Sequence, residues 1–200
     1  MDTAPFMIAL AGPNGAGKTS FYYNELHHEY GETPFLNADI IQYFELEEPD
    51  MKAAYRAAEI ASERRQNCID NKTSFIWEST FSHPSKPDVV AAAKAAGFYT
   101  KIIHIGVATP EICQARVALR VEEGGHNVPA HKVFERYSRC PPLIRRAIEI
   151  ADEAQIFDNS VDFEEPKLCL SVKHGVFENI QPIPPDWIRD TYPTDLNINA

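Results

Sequence analysis

Apolar and polar positions along the chain switch repeatedly between a strand-like and a helix-like rhythm. Phe6-Met7-Ile8-Ala9-Leu10-Ala11 is an unbroken apolar run, the pattern of a parallel strand buried on both faces. A glycine-containing loop follows, and then a helix from about Lys18 towards Tyr30. Residues 34–39 read as a short second strand that ends in the carboxylate of Asp39. From Asp50 to Asn71 an alanine-rich amphipathic pattern, with Tyr55, Ala58 and Ile60 among its apolar positions, predicts a long helix. Residues 74–77 form a third strand that delivers Glu78 and Thr80 at its end. Residues 85–96 are helical, with Ser85 as N-cap, Asp88 three positions on, and Gly97 as the stop. Residues 101–107 give a fourth strand, and Thr109-Pro110-Glu111 opens another helix with a cap, a first-turn proline and a favourable negative charge. Residues 123–129 must be a loop. A helix from about Ala130 to Ala154, bent near Pro141-Pro142, leads into a short strand over 155–157. Residues 168–172 and 175–177 suit a terminal hairpin, and the proline-rich tail from Pro182 wraps the surface or frays.

Alternating strands and helices predict an α/β fold with a mostly parallel central sheet and helices on both faces. No repeat or interdomain linker interrupts the 200 residues, so one domain is expected, with the hairpin and tail over 160–200. In such a fold ligands gather at the carboxyl ends of the strands, where the glycine loop, Asp39, Glu78 and Thr80 all fall.

Composition narrows the partners. The chain is 44% hydrophobic with a formal net charge of −10, which argues against a broad nucleic-acid surface. No stretch approaches the ~18 apolar residues of a membrane span, and the N-terminus lacks a secretory signal pattern, so a cytoplasmic protein is expected. Cys68, Cys113, Cys140 and Cys169 are widely spaced and suggest neither zinc nor a disulfide framework. Charge is uneven, however. Residues 113–146 carry six arginines and Lys132 against Glu122, Glu123 and Glu135, a local site for a polyanion such as a nucleoside triphosphate.

Gly12-Pro13-Asn14-Gly15-Ala16-Gly17-Lys18-Thr19 matches Gly-x-x-x-x-Gly-Lys-Ser/Thr, between a predicted strand and a predicted helix. Glycines let successive backbone N–H groups turn onto phosphate oxygens, and the helix that starts at Lys18, with Ser20 in its first turn, adds its positive end. Lys18 is placed to reach the β- and γ-phosphates of ATP, and the Thr19 hydroxyl to ligate Mg²⁺. Asp39 can accept a proton from a substrate hydroxyl, or alternatively cap a helix from Ile40 onward. Glu78 and Thr80 can bind substrate, or simply be strand-end polarity. Arg116, Arg120, Arg136 and Arg139 flank the Gly-Gly-His loop, the composition of a lid over ATP, with His126 a further candidate; a solvated helix-face charge is the alternative for each. The fourth strand ends in Gly106-Val107 rather than Asp, which weighs against a mechanochemical ATPase and for a small kinase.

Taken together, these motifs resemble the zeta toxin family of P-loop kinases, related in fold to chloramphenicol phosphotransferase. The resemblance rests on residues 11–20, Asn37-Ala38-Asp39, Glu78-Ser79-Thr80-Phe81-Ser82, Arg120-Val121, residues 124–129, Arg136-Tyr137-Ser138-Arg139 and Phe157-Asp158-Asn159-Ser160. It implies a P-loop kinase fold with a helical lid, and transfer of phosphate from ATP to the sugar 3′-hydroxyl of UDP-N-acetylglucosamine. By this resemblance Asp39 is the base, and Glu78 and Thr80 bind the sugar nucleotide. Lys18 and Thr19 handle ATP and Mg²⁺, Arg120 and Arg136 stabilise the transferring phosphoryl, and a small antitoxin protein is the partner. A small-metabolite or antibiotic kinase of the same fold, or a nucleotide-binding regulatory module without turnover, are the other readings of the same residues.

Overall fold

The computed structural model describes residues 4–48, 50–122, 125 and 128–193. In chain order β1 (Phe6–Ala11) leads through the glycine loop into α1 (Lys18–Phe21), a π-helical turn (Tyr22–Leu26) and α2 (His27–Tyr30). Next come β2 (Phe35–Leu36), α3 (Ala38–Ile40) with a second π-helical turn (Ile41–Leu46), α4 (Met51–Asp70), β3 (Phe75–Ser79) and α5 (Ser85–Ala95). Then follow β4 (Tyr99–Gly106), α6 (Pro110–Glu122), α7 (Ala130–Ile150), β5 (Glu153–Asp158), β6 (Lys167–Lys173), β7 (Val176–Asn179) and α8 (Asp186–Thr191).

The strands form one seven-stranded sheet in the order β2-β3-β1-β4-β5-β6-β7. The first five run parallel, and β6 and β7 add an antiparallel edge. Side chains alternate across the pleat, and the burial follows. Met7, Ala9 and Ala11 face one side with Phe75, Trp77, Ile102 and Ile156, covered by Val90 of α5, Ile144 and Ile148 of α7, and Ile188 of α8. Ile8 and Leu10 face the other side with Ile76, Ile103 and Ile105, under Phe21 and Tyr22. Removing one such buried side chain costs about 2–5 kcal/mol, against ~1 kcal/mol or less for an exposed ion pair. The sheet, rather than the charged surface, therefore fixes where the loops at its carboxyl end stand.

Four expectations from the sequence need correction. The second strand is only two residues long, and Asp39 lies in α3, whose N-cap Asn37 accepts from the Asp39 and Ile40 backbone N–H groups. Ser85 is not a cap; it lies inside α5, Pro84 occupies the cap position, and the Ser85 hydroxyl pairs with the His83 ring. The helix from Ala130 runs on through Pro141 and Pro142 but stops at Ile150, because Ala151 turns extended and Glu153–Asp158 pairs with both β4 and β6. The tail folds. Ile188 and Tyr192, four residues apart, bury one face of α8, and the Tyr192 hydroxyl lies 2.7 Å from His104 Nδ1. Trp187 donates to Asp158 Oδ1 at 2.7 Å and lies against Gly106. A Cβ at position 106 would stand 2.3 Å from the indole, so no aspartate could occupy the end of β4 in this packing. Among the described residues no helix is long and apolar enough to cross a membrane.

Candidate functional site

Where β1 ends, residues 12–17 turn the chain into α1 against two neighbours. A Cβ on Gly12 would lie 2.1 Å from the Ile105 carbonyl oxygen of β4, so the loop passes that strand only because position 12 is glycine. Gly17 has φ +89°, and a Cβ there would meet the Asn159 amide at 2.4 Å. That amide donates to Ala16 O at 2.8 Å, while the Asn159 backbone N–H donates to Gly106 O at 2.8 Å. Asn159, at the end of β5, therefore clamps the loop from the adjacent strands. No side chain caps the start of α1, which leaves its first N–H groups facing the cleft with the positive end of the helix behind them.

Lys18 is buried at 5% exposure, its ammonium donating to Pro13 O at 2.9 Å and standing 3.6 Å from Glu78 Oε1. The neighbouring Thr19 hydroxyl donates to Glu78 Oε2 at 2.8 Å, and Asn37 Nδ2 donates to the same oxygen at 2.8 Å. Strand order explains the meeting. β3 lies beside β1 with Glu78 in register with Leu10, and β2 lies on the far side of β3, so three sequence-distant segments converge on one carboxylate. Burial pushes the Glu78 carboxyl above its ordinary pKa; Lys18 and the Thr19 hydrogen bond pull the other way, and Asp39 adds to the rise. Asn37 thus has two jobs, holding Glu78 with its amide and capping the helix that presents Asp39 with its oxygen.

Asp39 is half exposed, and Arg120 Nη1 stands 3.9 Å from its Oδ2. Thr80 follows β3 and lies 3.2 Å, hydroxyl to hydroxyl, from Ser82. Between them Phe81 is fully buried at φ +53°, a left-handed conformation that a bulky residue seldom adopts. From the opposite wall Arg136 Nη1 donates to Asn14 Oδ1 at 2.9 Å, tying α7 to the phosphate loop. Arg116 is committed to Asp162 Oδ1, through Nε at 2.9 Å and Nη2 at 2.7 Å, and to Asn159 O at 2.8 Å. Arg139 pairs with Glu135 at 2.6 Å and is not among the residues that line the cleft. His126, also a candidate, falls outside the described residues.

These groups share a cleft of about 760 Å³, a size suited to a nucleotide and a small acceptor. Asn14, Gly15, Gly17, Lys18, Thr19 and Ser20 form its floor, while Gly12, Pro13 and Ala16 are buried beneath. Asp39, Glu78 and Thr80 line it on one side and Arg116, Arg120 and Arg136 on the other. The sequence reading quoted Asn159 within a motif but gave it no role, and it missed two cations that line the cleft, Arg65 and Lys86. A signal for Arg65 does exist. The buried positions of α4 recur every four residues, Ala53, Ala57, Ala61, Arg65 and Ile69, and a guanidinium occupies a row otherwise apolar.

Chemically the arrangement can hold a triphosphate along the loop and set a carboxylate beside an acceptor hydroxyl. Among the described residues no group of three His, Cys, Asp or Glu side chains could hold a metal. The Thr19 hydroxyl and the Glu78 carboxylate supply hard oxygen donors beside the phosphate position, which fits Mg²⁺, an ion that keeps several waters and few protein ligands.

A family model described as an AAA domain matches residues 7–143. An uncharacterized protein of Haemophilus influenzae is 38% identical over 69 residues, covering 34% of this chain and 49% of that protein. The match thus spans about half of that relative. Among solved structures, a chain of the AvrRxo1-ORF1:-ORF2 complex with ATP superposes with a TM-score of 0.69 at 17% identity, over 90% of this chain and 61% of that one. The PezAT chromosomal toxin-antitoxin system of Streptococcus pneumoniae gives a TM-score of 0.63 at 16% identity, over 79% and 69%. The Pnkp1/Rnl/Hen1 RNA repair complex gives 0.58 at 17%, over 73% and 47%. At these identities the structures share the P-loop kinase fold.

Proposed function

This chain belongs to the AAA domain family, and we propose that it is an ATP-dependent kinase of the zeta toxin type. Its acceptor is a sugar hydroxyl of a UDP-activated amino sugar such as UDP-N-acetylglucosamine. One observation carries the reading: Glu78 gathers Thr19 and Asn37 by hydrogen bonds and Lys18 by an ion pair, in the same cleft as Asp39, Arg120 and Arg136. A nucleotide-binding module without turnover has no use for a carboxylate held at the acceptor side of the phosphate loop.

In this reading the loop amides and Lys18 grip the β- and γ-phosphates of ATP. Asp39 takes the proton of the acceptor hydroxyl, whose oxygen bonds to the γ-phosphorus as the bond from that phosphorus to the β-bridging oxygen breaks and ADP leaves. Arg120 stands beside the base and Arg136 beside the loop, so both can lie against the transferring phosphoryl group and spread its charge. Thr19, with Glu78 behind it, would hold Mg²⁺, which neutralises charge on the phosphates. Glu78 keeps Thr19 and Asn37 in place, and through Asn37 the helix that carries Asp39. The likeness to the PezAT toxin-antitoxin system supports a small antitoxin protein as partner.

The test is a transfer assay with purified protein, ATP, Mg²⁺ and UDP-N-acetylglucosamine, with product masses recorded. A gain of one phosphoryl group that disappears in Lys18→Ala supports the reading. ATP bound without transfer to this or any other UDP-sugar refutes the acceptor class.

A further inference from the structure

The proposed acceptor must occupy the part of the cleft beyond Asp39 and Thr80, where the wall is made by α4 and the start of α5. Two cations meet there over one ring. The Arg65 guanidinium carbon stands 4.8 Å from the centroid of the Trp77 ring, and Lys86 Nζ stands 5.7 Å from it. Trp77 is fully buried in β3, one residue before Glu78, so the indole fixes both charges relative to the catalytic strand.

Neither cation is neutralised. Among the described residues no carboxylate pairs with Arg65 or Lys86, although both line the cleft. Arg65 is only 7% exposed, and its Nε is buried without a hydrogen-bond partner. A guanidinium buried in a helix row otherwise made of alanines and Ile69, with a donor unused, is unfavourable until an anion in the cleft faces its charge. Burial and the neighbouring Arg65 charge hold Lys86 well below its usual pKa, at about 8. Lys86 also sits in the first turn of α5, where the Ser85 and Lys86 backbone N–H groups are already taken by His83 Nδ1 and His83 O, so the two side chains rather than the helix end supply the charge. The nearest first-turn carboxylate, Asp88, is exposed and lies 3.4 Å from Arg146.

Resting on the kinase reading, we propose that Arg65 and Lys86, stacked on Trp77 at the α4 wall, form an anion subsite for a phosphate or diphosphate group carried by the acceptor. Two fixed positive charges match a phosphate-type dianion better than a lone carboxylate, and an arginine fork binds phosphate oxygens in pairs. The enzyme therefore selects a phosphorylated acceptor, such as a nucleotide sugar through its diphosphate, over an uncharged sugar or antibiotic. The same cations that recognise the diphosphate hold it away from the phosphate loop, which leaves the loop to ATP.

The test fills the phosphate loop of the full chain with a non-hydrolysable ATP analogue and equimolar Mg²⁺. Inorganic pyrophosphate is then titrated and followed by calorimetry and tryptophan fluorescence. One additional pyrophosphate should bind the native protein, and both Arg65→Met and Lys86→Met should weaken it at least tenfold. Absence of that second binding event, or equal affinity in a folded Lys86→Met protein, overturns the proposal; Lys86, less buried than Arg65, is the variant that decides if Arg65→Met fails to fold. A parallel titration with N-acetylglucosamine should show no comparable affinity, and an affinity equal to that for UDP-N-acetylglucosamine would also overturn it. Pyrophosphate binding needs no turnover, so it separates the two readings. Pyrophosphate bound while every UDP-sugar remains unphosphorylated removes the acceptor named above and leaves the subsite standing. Transfer to UDP-N-acetylglucosamine with equal KM in both variants does the reverse.

Discussion

The two ends of the cleft are built in opposite ways. At the phosphate-loop end Lys18, Thr19, Asn37 and Glu78 already hold one another through contacts of 2.8 to 3.6 Å, and Arg136 is tied to Asn14. At the Trp77 end Arg65 and Lys86 are held by an aromatic face and by packing, and among the described residues no carboxylate pairs with either. The first end is pre-organised for a step that is the same in every turnover, so the protein can satisfy its polar groups internally until ATP arrives. The second leaves charge unsatisfied, and a ligand alone completes it. On the proposed reading chemistry and selectivity fall to different residues, and they should separate under mutation.

The largest effect belongs to the proposed base. Asp39→Asn should lower kcat by about 10²–10⁴-fold with acceptor affinity little changed, measured by steady-state transfer kinetics. Full turnover in a folded Asp39→Asn protein would break the division at its centre. Lys18→Ala should reduce transfer about 10²–10³-fold for every acceptor tried, because it acts on the triphosphate. Arg65→Met and Lys86→Met should instead raise KM for a phosphorylated acceptor about tenfold while KM for ATP stays constant, since one charge-assisted contact is worth about 1.5–3 kcal/mol before losses. Acidity sharpens the contrast. As pH rises through about 8, Lys86 loses its proton and acceptor affinity should fall, and Lys86→Arg should flatten that profile. The smallest effect lies outside the cleft. Tyr192→Phe should leave both KM values unchanged and lower stability by about 1 kcal/mol, read from denaturant melts.

Legibility in the sequence followed the same division. The phosphate loop is eight consecutive residues, so its glycines, Lys18 and Thr19 could be read directly, and the strand before it and helix after it stand as expected. The parallel sheet and the terminal hairpin were also legible, because each strand carries its own apolar pattern. Asp39, Glu78 and Thr80 were placed at strand ends by pattern alone, and the structure gathers them in one cleft. The stop of α7 was not legible. Ala151 to Ala154 have good helical propensity, and what overrides it is the pairing of Ala154 with Ile102 and Val172. The tail helix was hidden by its prolines, while its apolar residues, Trp187, Ile188 and Tyr192, match only a surface that β4 and β5 create. Arg65 and Lys86 escaped because neither belongs to a motif. They become a pair only when β3 brings Trp77 between α4 and α5.

His104 shows what such long reach implies for the life of the chain. Its ring is buried in β4 and kept neutral by that burial, which pulls its pKa from 6.5 to about 3. The unfolded chain binds the proton that the folded one refuses, so stability should fall as pH drops below about 6.5 and continue falling towards 3. The hydroxyl that pairs with this ring comes from Tyr192, 88 residues later. A ribosome adds about 5–20 residues each second, so the middle of the sheet waits roughly 4 to 18 s for its last partner to be made. Throughout that interval the phosphate loop is already synthesised beside a strand whose buried histidine has no acceptor or donor from the tail. Tyr192, just past α8, thus completes the cover over a sheet whose last described strand ends at Asn179, and a chain stalled before it leaves the His104 ring without that partner.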